Sequence, residues 1–210
     1  MSTTTMTPIT LTAPVAAGSS GAVLDHVHGF FPVLDALERE APRIARWGEV
    51  LADTLTAGGR LLVAGNGGSA AEAQHLTAEL VGRFDGDRRP FSAIALSSET
   101  SSVTAIGNDY GFDEVFARQV AGHARHDDVV LLLSTSGRSR NLIKAATTAR
   151  DCGALCWAMT GDAPNRLALS CDDALCVPGP APHVQEAQLI VIHALCRVFD
   201  ACVAANGGTT

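Results

Sequence analysis

The sequence predicts an α/β fold, namely a three-layer αβα sandwich with a parallel sheet of the flavodoxin-like, Rossmann type, preceded by one or two helices. From residue 60 onwards, short apolar runs alternate with stretches that have helical periodicity. The apolar runs are continuous rather than alternating, which is typical of parallel strands buried on both faces. Regular alternation of strands and helices places helices on both sides of such a sheet.

The predicted elements follow from these patterns in chain order. Residues 22–57 carry apolar positions at helical spacing, and Pro32 and Pro42 suggest a break there, so this segment is one helix or two. The predicted strands are 60–65, 91–97, 128–134, 154–160 and 174–178. The predicted helices are 69–83, 113–124, 141–153, a short one near 164–170, and 183–204. Residues 98–111 are interpreted as a connection at the carboxyl end of the sheet.

The chain is predicted to form a single domain over residues 21–205. Residues 1–20 are rich in Thr, Ser, Ala and Pro and are expected to be a flexible tail, as are residues 206–210 at the other end. No recognisable signal peptide precedes the domain, and the six cysteines show no C-x-x-C spacing, so a reduced, cytoplasmic setting is expected. No apolar run approaches the length of a membrane span, so no membrane partner is expected.

Charge excludes one class of partner. The formal net charge of −7 argues against non-specific binding of nucleic acid, because the phosphates would be repelled. Arg83, Arg88 and Arg89 could form a local basic patch, but a solvated loop is the favoured interpretation.

Ligands of open parallel sheets bind at the carboxyl ends of the strands. That rule selects the loop Ser134–Ser139, "STSGRS", which carries four hydroxyl groups at the start of a helix. The partial positive charge of a helix N-terminus favours an anion, so this loop predicts a phosphate cradle. It lacks the G-x-x-x-x-G-K-[ST] pattern of an NTP-binding loop. The alternative is an ordinary N-cap with spare hydroxyls, although four hydroxyls in six residues exceed what capping needs.

The glycine-rich loop "GNGGS", residues 65–69, also ends a predicted strand. It departs from G-x-G-x-x-G because Ala70 stands at the third glycine position, and no acidic residue follows at the spacing of a ribose contact. A dinucleotide site is therefore not expected. Taken alone, this loop is equally consistent with a tight strand-to-helix turn and with a binding loop.

A third feature lies on the helix that follows this loop. His75 and Glu79 are one turn apart and share a face, which suits a metal ion but equally describes a surface His–Glu pair. The last predicted helix holds His193 in an apolar run, where an imidazole needs a partner. Helical geometry favours Glu186 over Gln185 as the mate of His193, and the pattern of residues leaves that choice open.

Together, four stretches resemble the sugar-isomerase (SIS) domain family and, within it, the phosphoheptose isomerases, which act on sedoheptulose 7-phosphate. These stretches are "GNGGSAAEAQHLTAEL", "AIGNDYGFDEVFARQV", "STSGRSRNLIKA" and "VQEAQLIVIHALC", in the order and spacing of that family. The resemblance covers roughly residues 45–200.

The resemblance implies roles for matching positions. Zinc, one ion per subunit, would be bound by His75, Glu79, Gln185 and His193, so the family favours Gln185 over Glu186. Glu79 and His193 would be the catalytic acid/base pair. The substrate would be contacted by Asn66, Gly67, Gly68, Glu79, Asn108, Asp109, Ser134, Thr135, Ser136, Ser139 and Gln185. The family also implies a homotetramer with active sites shared between subunits.

The expected reaction is the conversion of sedoheptulose 7-phosphate to D-glycero-D-manno-heptopyranose 7-phosphate through an enediol. Such a reaction needs a base and an acid, and zinc can polarise the carbonyl. Relatives usually carry Arg-Ile-Gln-Glu-x-His where this chain has His183 to Gln188, which leaves substrate details open. The turn "TGDAPNRLA" also lacks the glycine pair usual in the family. The alternatives are an isomerase of another phosphorylated sugar and a non-catalytic SIS-domain binding protein.

Overall fold

The computed structural model describes residues 18–207 as an α/β sandwich with a five-stranded sheet. The strands are β1 (Leu61–Gly65), β2 (Ala93–Ala95), β3 (Val129–Ser134), β4 (Leu155–Thr160) and β5 (Asp173–Cys176). The helices are α1 (Ser19–Gly29), α2 (Phe31–Thr56), α3 (Gly68–Val81), α4 (Thr100–Tyr110), α5 (Ala117–His123), α6 (Arg140–Asp151) and α7 (Ala181–Ala205). Short 3-10 segments lie at Phe112–Glu114 and Ala168–Ser170.

All neighbouring strands are parallel, in the order β2-β1-β3-β4-β5. The predicted fold class is therefore confirmed. The continuous apolar runs are explained by burial on both faces: alternate strand residues enter two separate cores. Leu131 of β3 faces the core under α2, α3 and α7, whereas its neighbour Leu132 faces the core under α5 and α6.

The N-terminal segment forms two helices that meet at Phe30. Pro32 lies in the first turn of α2, where a missing N–H costs nothing, and this is the break. Pro42 lies inside α2 without ending it. Of the predicted flexible segments, residues 1–17 and 208–210 lie outside the described residues, while Ser19 and Ser20 already belong to α1.

Two predictions about helices were wrong. Residues 98–111 contain helix α4, which sequence patterns did not indicate because its few apolar residues are separated by polar residues and glycine. The predicted helix 113–124 is divided into a 3-10 segment and α5.

No apolar run was expected to approach the length of a membrane span, but helix α7 differs from that expectation. An 18-residue window of it has mean hydropathy 1.6, which is enough, by length and composition, to cross a membrane. A core helix passes the same test. Ten residues of α7 are buried, and the helix packs along α2 and α3.

Glu99 supplies the cap that α4 needs. Its carboxylate accepts hydrogen bonds from the backbone N–H groups of Ser101, at 3.2 Å, and Ser102, at 2.6 Å. These bonds stabilise the ionised form, so they lower the pKa of Glu99 from 4.5 to about 2.

We therefore expect the cap of α4 to be complete above about pH 4.5 and to be lost as the pH falls towards 2, because protonation removes the acceptor. NMR titration of the Glu99 carboxyl carbon should give a midpoint near 2, with the amides of Ser101 and Ser102 shifting in parallel. In Glu99→Gln those amide shifts should no longer titrate. A midpoint near 4.5 would contradict the cap.

Candidate active site

The Ser/Thr loop, residues 134–139, connects β3 to α6 and lines a small cavity at the carboxyl edge of the sheet. The cavity has a volume of about 80 Å³, far smaller than a nucleotide site. Its lining consists of Asn66, Ser69, Leu133, Ser134, Thr135, Ser136, Ser139 and Gln185. The two loops that sequence reasoning selected are therefore adjacent, and all four predicted phosphate-contacting hydroxyl residues lie at this cavity.

Bonds within the loop hold it open around the cavity. The Ser134 hydroxyl accepts the N–H of Gly137 at 3.1 Å and lies 3.3 Å from the hydroxyl of Ser139. Gly137 has φ +58°, and its missing side chain leaves room for the Asn165 amide, so glycine is needed here on both counts. Ser139 is the first residue before α6 but makes no side-chain cap, so its hydroxyl remains available to a ligand.

The glycine-rich loop is held by amide contacts that the sequence did not reveal. Asn66 and Asn141 exchange two side-chain hydrogen bonds, of 3.1 and 3.0 Å. This pair ties the first residues of the loop to α6. Gly67, with φ +57°, and Gly68 are exposed and lie at the start of α3. The Gln185 carboxamide lies against Gly68, at a spacing that leaves no room for a methyl group on that residue.

The two residues that depart from the family pattern at the start of α7 are both buried. Gln188 accepts a hydrogen bond from the Ser69 hydroxyl at 2.9 Å and donates one to the carbonyl of Met159 at 3.3 Å. It therefore ties α7 to α3 and to β4. His183 contacts Glu186, with Nδ1 2.8 Å from a carboxylate oxygen.

A second group of candidate residues, His75, Glu79 and His193, lies further along α3 and α7 than the cavity. The Nε2 atoms of His75 and His193 are 2.9 Å apart, and His75 Nε2 is 3.3 Å from a carboxylate oxygen of Glu79. One ligand atom from each of the three residues lies within 4.8 Å of the others. Two imidazole nitrogens and a carboxylate oxygen are ligands that zinc accepts, so these residues fit a metal ion chemically.

Gln185 is not part of this group within one chain. It precedes His193 by eight residues, which corresponds to about 12 Å along a helix. Its carboxamide is instead at the cavity of the Ser/Thr loop. Glu186, the mate that helical geometry favoured for His193, pairs with His183 and His26. That preference was wrong, because a residue seven positions earlier shares the face of His193 but lies about 10 Å from it along the helix.

Asn108 and Asp109 lie on α4, outside the set of residues that line the cavity. Both are exposed, and the Asn108 amide donates to the Asp109 carboxylate at 2.8 Å. Their predicted contact with substrate stays a prediction.

Glu72 lies beside the candidate group of His75, Glu79 and His193, and the sequence pattern did not indicate it. It lies one turn before His75 on α3, and its Oε2 atom is buried and without a hydrogen-bond partner. Burial raises the pKa of Glu72, while the nearby imidazoles of His75 and His193 act in the opposite direction. The spacing 72, 75, 79 along one helical face was the available signal.

Arg88 corrects the expectation of a solvated basic loop. Its side chain is 4% exposed and forms an ion pair with Asp200 of α7, with Nε 2.7 Å from Oδ1. It also donates to the carbonyls of Glu79, at 2.8 Å, and Leu80, at 3.0 Å. Arg88 thus caps the C-terminal end of α3 and anchors the backbone of Glu79.

The chain matches the SIS domain family over residues 28–161. It is 56% identical to a phosphoheptose isomerase of Streptomyces coelicolor over 182 residues, which cover 86% of this chain and 79% of that protein. It is 50% identical to a phosphoheptose isomerase of Geobacter sulfurreducens over 170 residues, which cover 80% and 90% of the two chains.

Two solved phosphoheptose isomerases have the same fold. The protein from Francisella tularensis superposes with a TM-score of 0.81 at 32% identity, and that from Neisseria gonorrhoeae with 0.80 at 36%. Each comparison covers 87% of this chain and 98% of the other. The fold and the cradle loop define an SIS-domain protein. Within that class, the chain belongs to the phosphoheptose isomerase family and is an isomerase.

The buried ion pair generates a stability prediction. Arg88→Met leaves the Asp200 carboxylate buried without its partner, so we expect the free energy of unfolding to fall by about 3–5 kcal/mol. Chemical denaturation followed by fluorescence measures this change. The double variant Arg88→Met/Asp200→Leu should recover part of the loss, because it removes the orphaned charge. The exposed Arg83→Met is the matched control and should change stability by less than about 0.5 kcal/mol. An Arg88→Met protein as stable as the control would show that the pair is not needed.

Proposed function

We propose that this protein interconverts sedoheptulose 7-phosphate and D-glycero-D-manno-heptopyranose 7-phosphate. The observation that carries the proposal is the presence of two chemically different groups on helices α3, α6 and α7. A cradle of hydroxyls suits the phosphate, and a His/His/Glu group suits acid–base chemistry. Both occur in a chain with strong similarity to phosphoheptose isomerases.

The phosphate would be bound by Ser134, Thr135, Ser136 and Ser139. Their hydroxyls and the first N–H groups of α6 are donors, and the partial positive charge of the helix N-terminus attracts the anion. The small cavity accommodates a phosphoryl group and leaves the sugar chain outside it. Gln185 and Asn66, on the cavity wall, are then in position to contact the sugar.

Glu79 and His193 would carry the proton transfers. The Glu79 carboxylate removes the proton from C1 of the ketose, and the electron pair of that bond forms the C1–C2 double bond. His193 gives a proton to the carbonyl oxygen on C2, which completes the enediol. Glu79 then returns its proton to C2 while His193 accepts the proton of the C1 hydroxyl, so the aldehyde forms and both side chains regain their initial states.

We further propose that one zinc ion per subunit is held by His75, Glu79 and His193. Because a carboxylate held on zinc is a poorer base and a zinc-bound nitrogen carries no proton, Glu79 and His193 would have to leave the ion to transfer protons. Bound there, zinc would act as a Lewis acid that polarises the substrate carbonyl. The N/N/O ligand set and the mutual distances of the three side chains support this proposal.

Gln185 and the proposed ligands are too far apart in one chain to bind the same ion. We therefore propose that Gln185 completes the zinc site of a neighbouring subunit, so that each active site combines the cradle of one chain with the His/His/Glu group of another. A homotetramer would provide such shared sites. Exposed apolar side chains on α1 and α2, such as Val23 and Phe31, offer surface for contacts between subunits.

Free thiols at all six cysteines fit the reducing cytoplasm that we propose as the location.

Another phosphorylated ketose is the alternative substrate. Its support is the start of α7, where the buried His183 and Gln188 differ from the residues usual in the family and lie next to Gln185. A non-catalytic binding role has less support, because Glu79 and His193 are both present and in one group.

The acid–base role predicts a severe defect in Glu79→Gln, because the amide cannot accept the C1 proton. With zinc-loaded protein and sedoheptulose 7-phosphate, NMR detection of the aldose should show a rate about 10²–10⁴ times lower than that of the wild type. Glu38→Gln, an exposed glutamate on α2, is the control and should keep the wild-type rate. An inactive wild type with bound zinc would refute the proposed reaction, and turnover of ribulose 5-phosphate or fructose 6-phosphate instead would favour the alternative substrate.

Shared active sites predict complementation between two inactive variants. Ser136→Ala/Ser139→Ala damages the cradle, and Glu79→Gln damages the acid–base group. If the two variants are unfolded together and refolded as a one-to-one mixture, random pairing restores about one quarter of the sites. We therefore expect about a quarter of the wild-type activity in the mixture, against almost none in either variant refolded alone. Absence of recovery, with mixed oligomers detected by mass spectrometry, would show that each site belongs to a single chain.

A further inference from the structure

A second group of two histidines and a glutamate lies where α1 crosses the start of α7. His26 Nε2 is 2.6 Å from Oε1 of Glu186, and His183 Nδ1 is 2.8 Å from Oε2 of the same carboxylate. One ligand atom from each residue lies within 4.8 Å of the other two. The group therefore has the same composition and compactness as the one formed by His75, Glu79 and His193.

The ring of His183 is fixed by its surroundings. It is 6% exposed and packs against the ring of His26, with centroids 4.6 Å apart, and that of Phe30, at 5.7 Å. Gly29 approaches so closely that a β-carbon there would lie 2.9 Å from His183 Nε2. In this fixed ring, Nδ1 is the nitrogen directed at Glu186. One ligand position is therefore set before any ion arrives.

The charge of the group suits a cation. The Glu186 carboxylate lies between two imidazoles, each within hydrogen-bonding distance of one of its oxygens. Imidazole nitrogen together with carboxylate oxygen is a ligand set for Zn²⁺ and related divalent transition metals rather than for Ca²⁺ or Mg²⁺.

To bind one ion, the three ligand atoms would have to reach the spacing of a coordination site, and the two imidazoles, which contact different oxygens of Glu186, would have to face the same ion. Ligand atoms at about 2.0–2.1 Å from a tetrahedral zinc ion are about 3.3 Å from one another. The two His–Glu distances would have to lengthen by about 0.5–0.7 Å to reach that spacing. His26 lies on the exposed side of the group, with 49% of its side chain accessible, so an ion can enter there and keep a water as a further ligand.

We propose that His26, His183 and Glu186 form a second metal site, selective for Zn²⁺-class ions, that fastens α1 to the start of α7. Glu186 precedes His193 by seven residues, which is about 10 Å along the helix, so the two ions would be separate. The site gives α1 an anchor that its packing lacks, because no residue of α1 is buried. It lies beside Val184 and Gln185, so it also steadies the turn of α7 that borders the cradle.

The test counts metal ions in the full-length protein, with Zn²⁺ as the probe. After zinc loading and removal of free metal, elemental analysis should give two ions per chain for the wild type. His26→Ala should retain one, and so should His193→Ala, because each variant loses a different ion. His28→Ala is the matched control, since His28 is an exposed histidine on the same helix outside the group, and it should retain two.

A second readout follows α1 itself and does not depend on enzymatic activity. Addition of Zn²⁺ should slow amide hydrogen exchange across residues 19–29 at least tenfold in the wild type and in His28→Ala, and should leave it unchanged in His26→Ala. Glu186→Gln provides an independent variant with the same expected loss. Because His26 is exposed, its replacement should not prevent folding, which circular dichroism can verify.

The outcomes distinguish this site from the proposed catalytic zinc. Loss of an ion in His26→Ala supports the second site even if His193→Ala loses none. The same ion content in His26→Ala and the wild type overturns it, as does equal loss in His28→Ala, which would trace the effect to α1 as a whole rather than to the ligand.

Discussion

The side-by-side packing of α3 and α7 is the constraint on which both candidate groups depend. Ser69, near the start of α3, contacts Gln188, and the later residue His75 contacts the later residue His193. The two helices therefore run in the same direction. Both follow strands of a parallel sheet and return across the same face, which gives them this orientation. The Ser69–Gln188 hydrogen bond is buried and sets the register near the sheet. That register brings His193 level with His75 about one and a half turns further on.

Contacts with the rest of the fold hold both ends of the α3–α7 helix pair in place. At the carboxyl edge of the sheet, the reciprocal Asn66–Asn141 bonds join the two loops that line the small cavity. At the opposite end of α3, Arg88 binds the carbonyls of its last turn and the carboxylate of Asp200 on α7. The side chains between these anchors therefore sit on a rigid frame, as groups that transfer protons at fixed distances require.

Helix α7 borders three different parts of the structure, because its polar residues lie at different positions along and around the helix. Gln185 borders the cradle, Glu186 meets α1, and His193 meets α3. Its apolar face is buried against α2 and α3, which explains why its mean hydropathy reaches that of a membrane span. Distance along the same helix separates Gln185 from His193, so the cavity and the group of His75, Glu79 and His193 lie at different places within one chain.

The fold class could be predicted from the sequence, because short continuous apolar runs alternated with helical stretches, as in a parallel sheet covered on both faces. The hydroxyl-rich loop before α6 and the family could also be predicted, because both are visible as local motifs. Helix α4 was missed because its few apolar residues are separated by polar residues and glycine. The contact of Glu186 with His26 and the burial of Arg88 against Asp200 are visible only in the tertiary structure. Each depends on which helix covers which face, and contacts between residues more than a hundred positions apart leave no trace in local patterns.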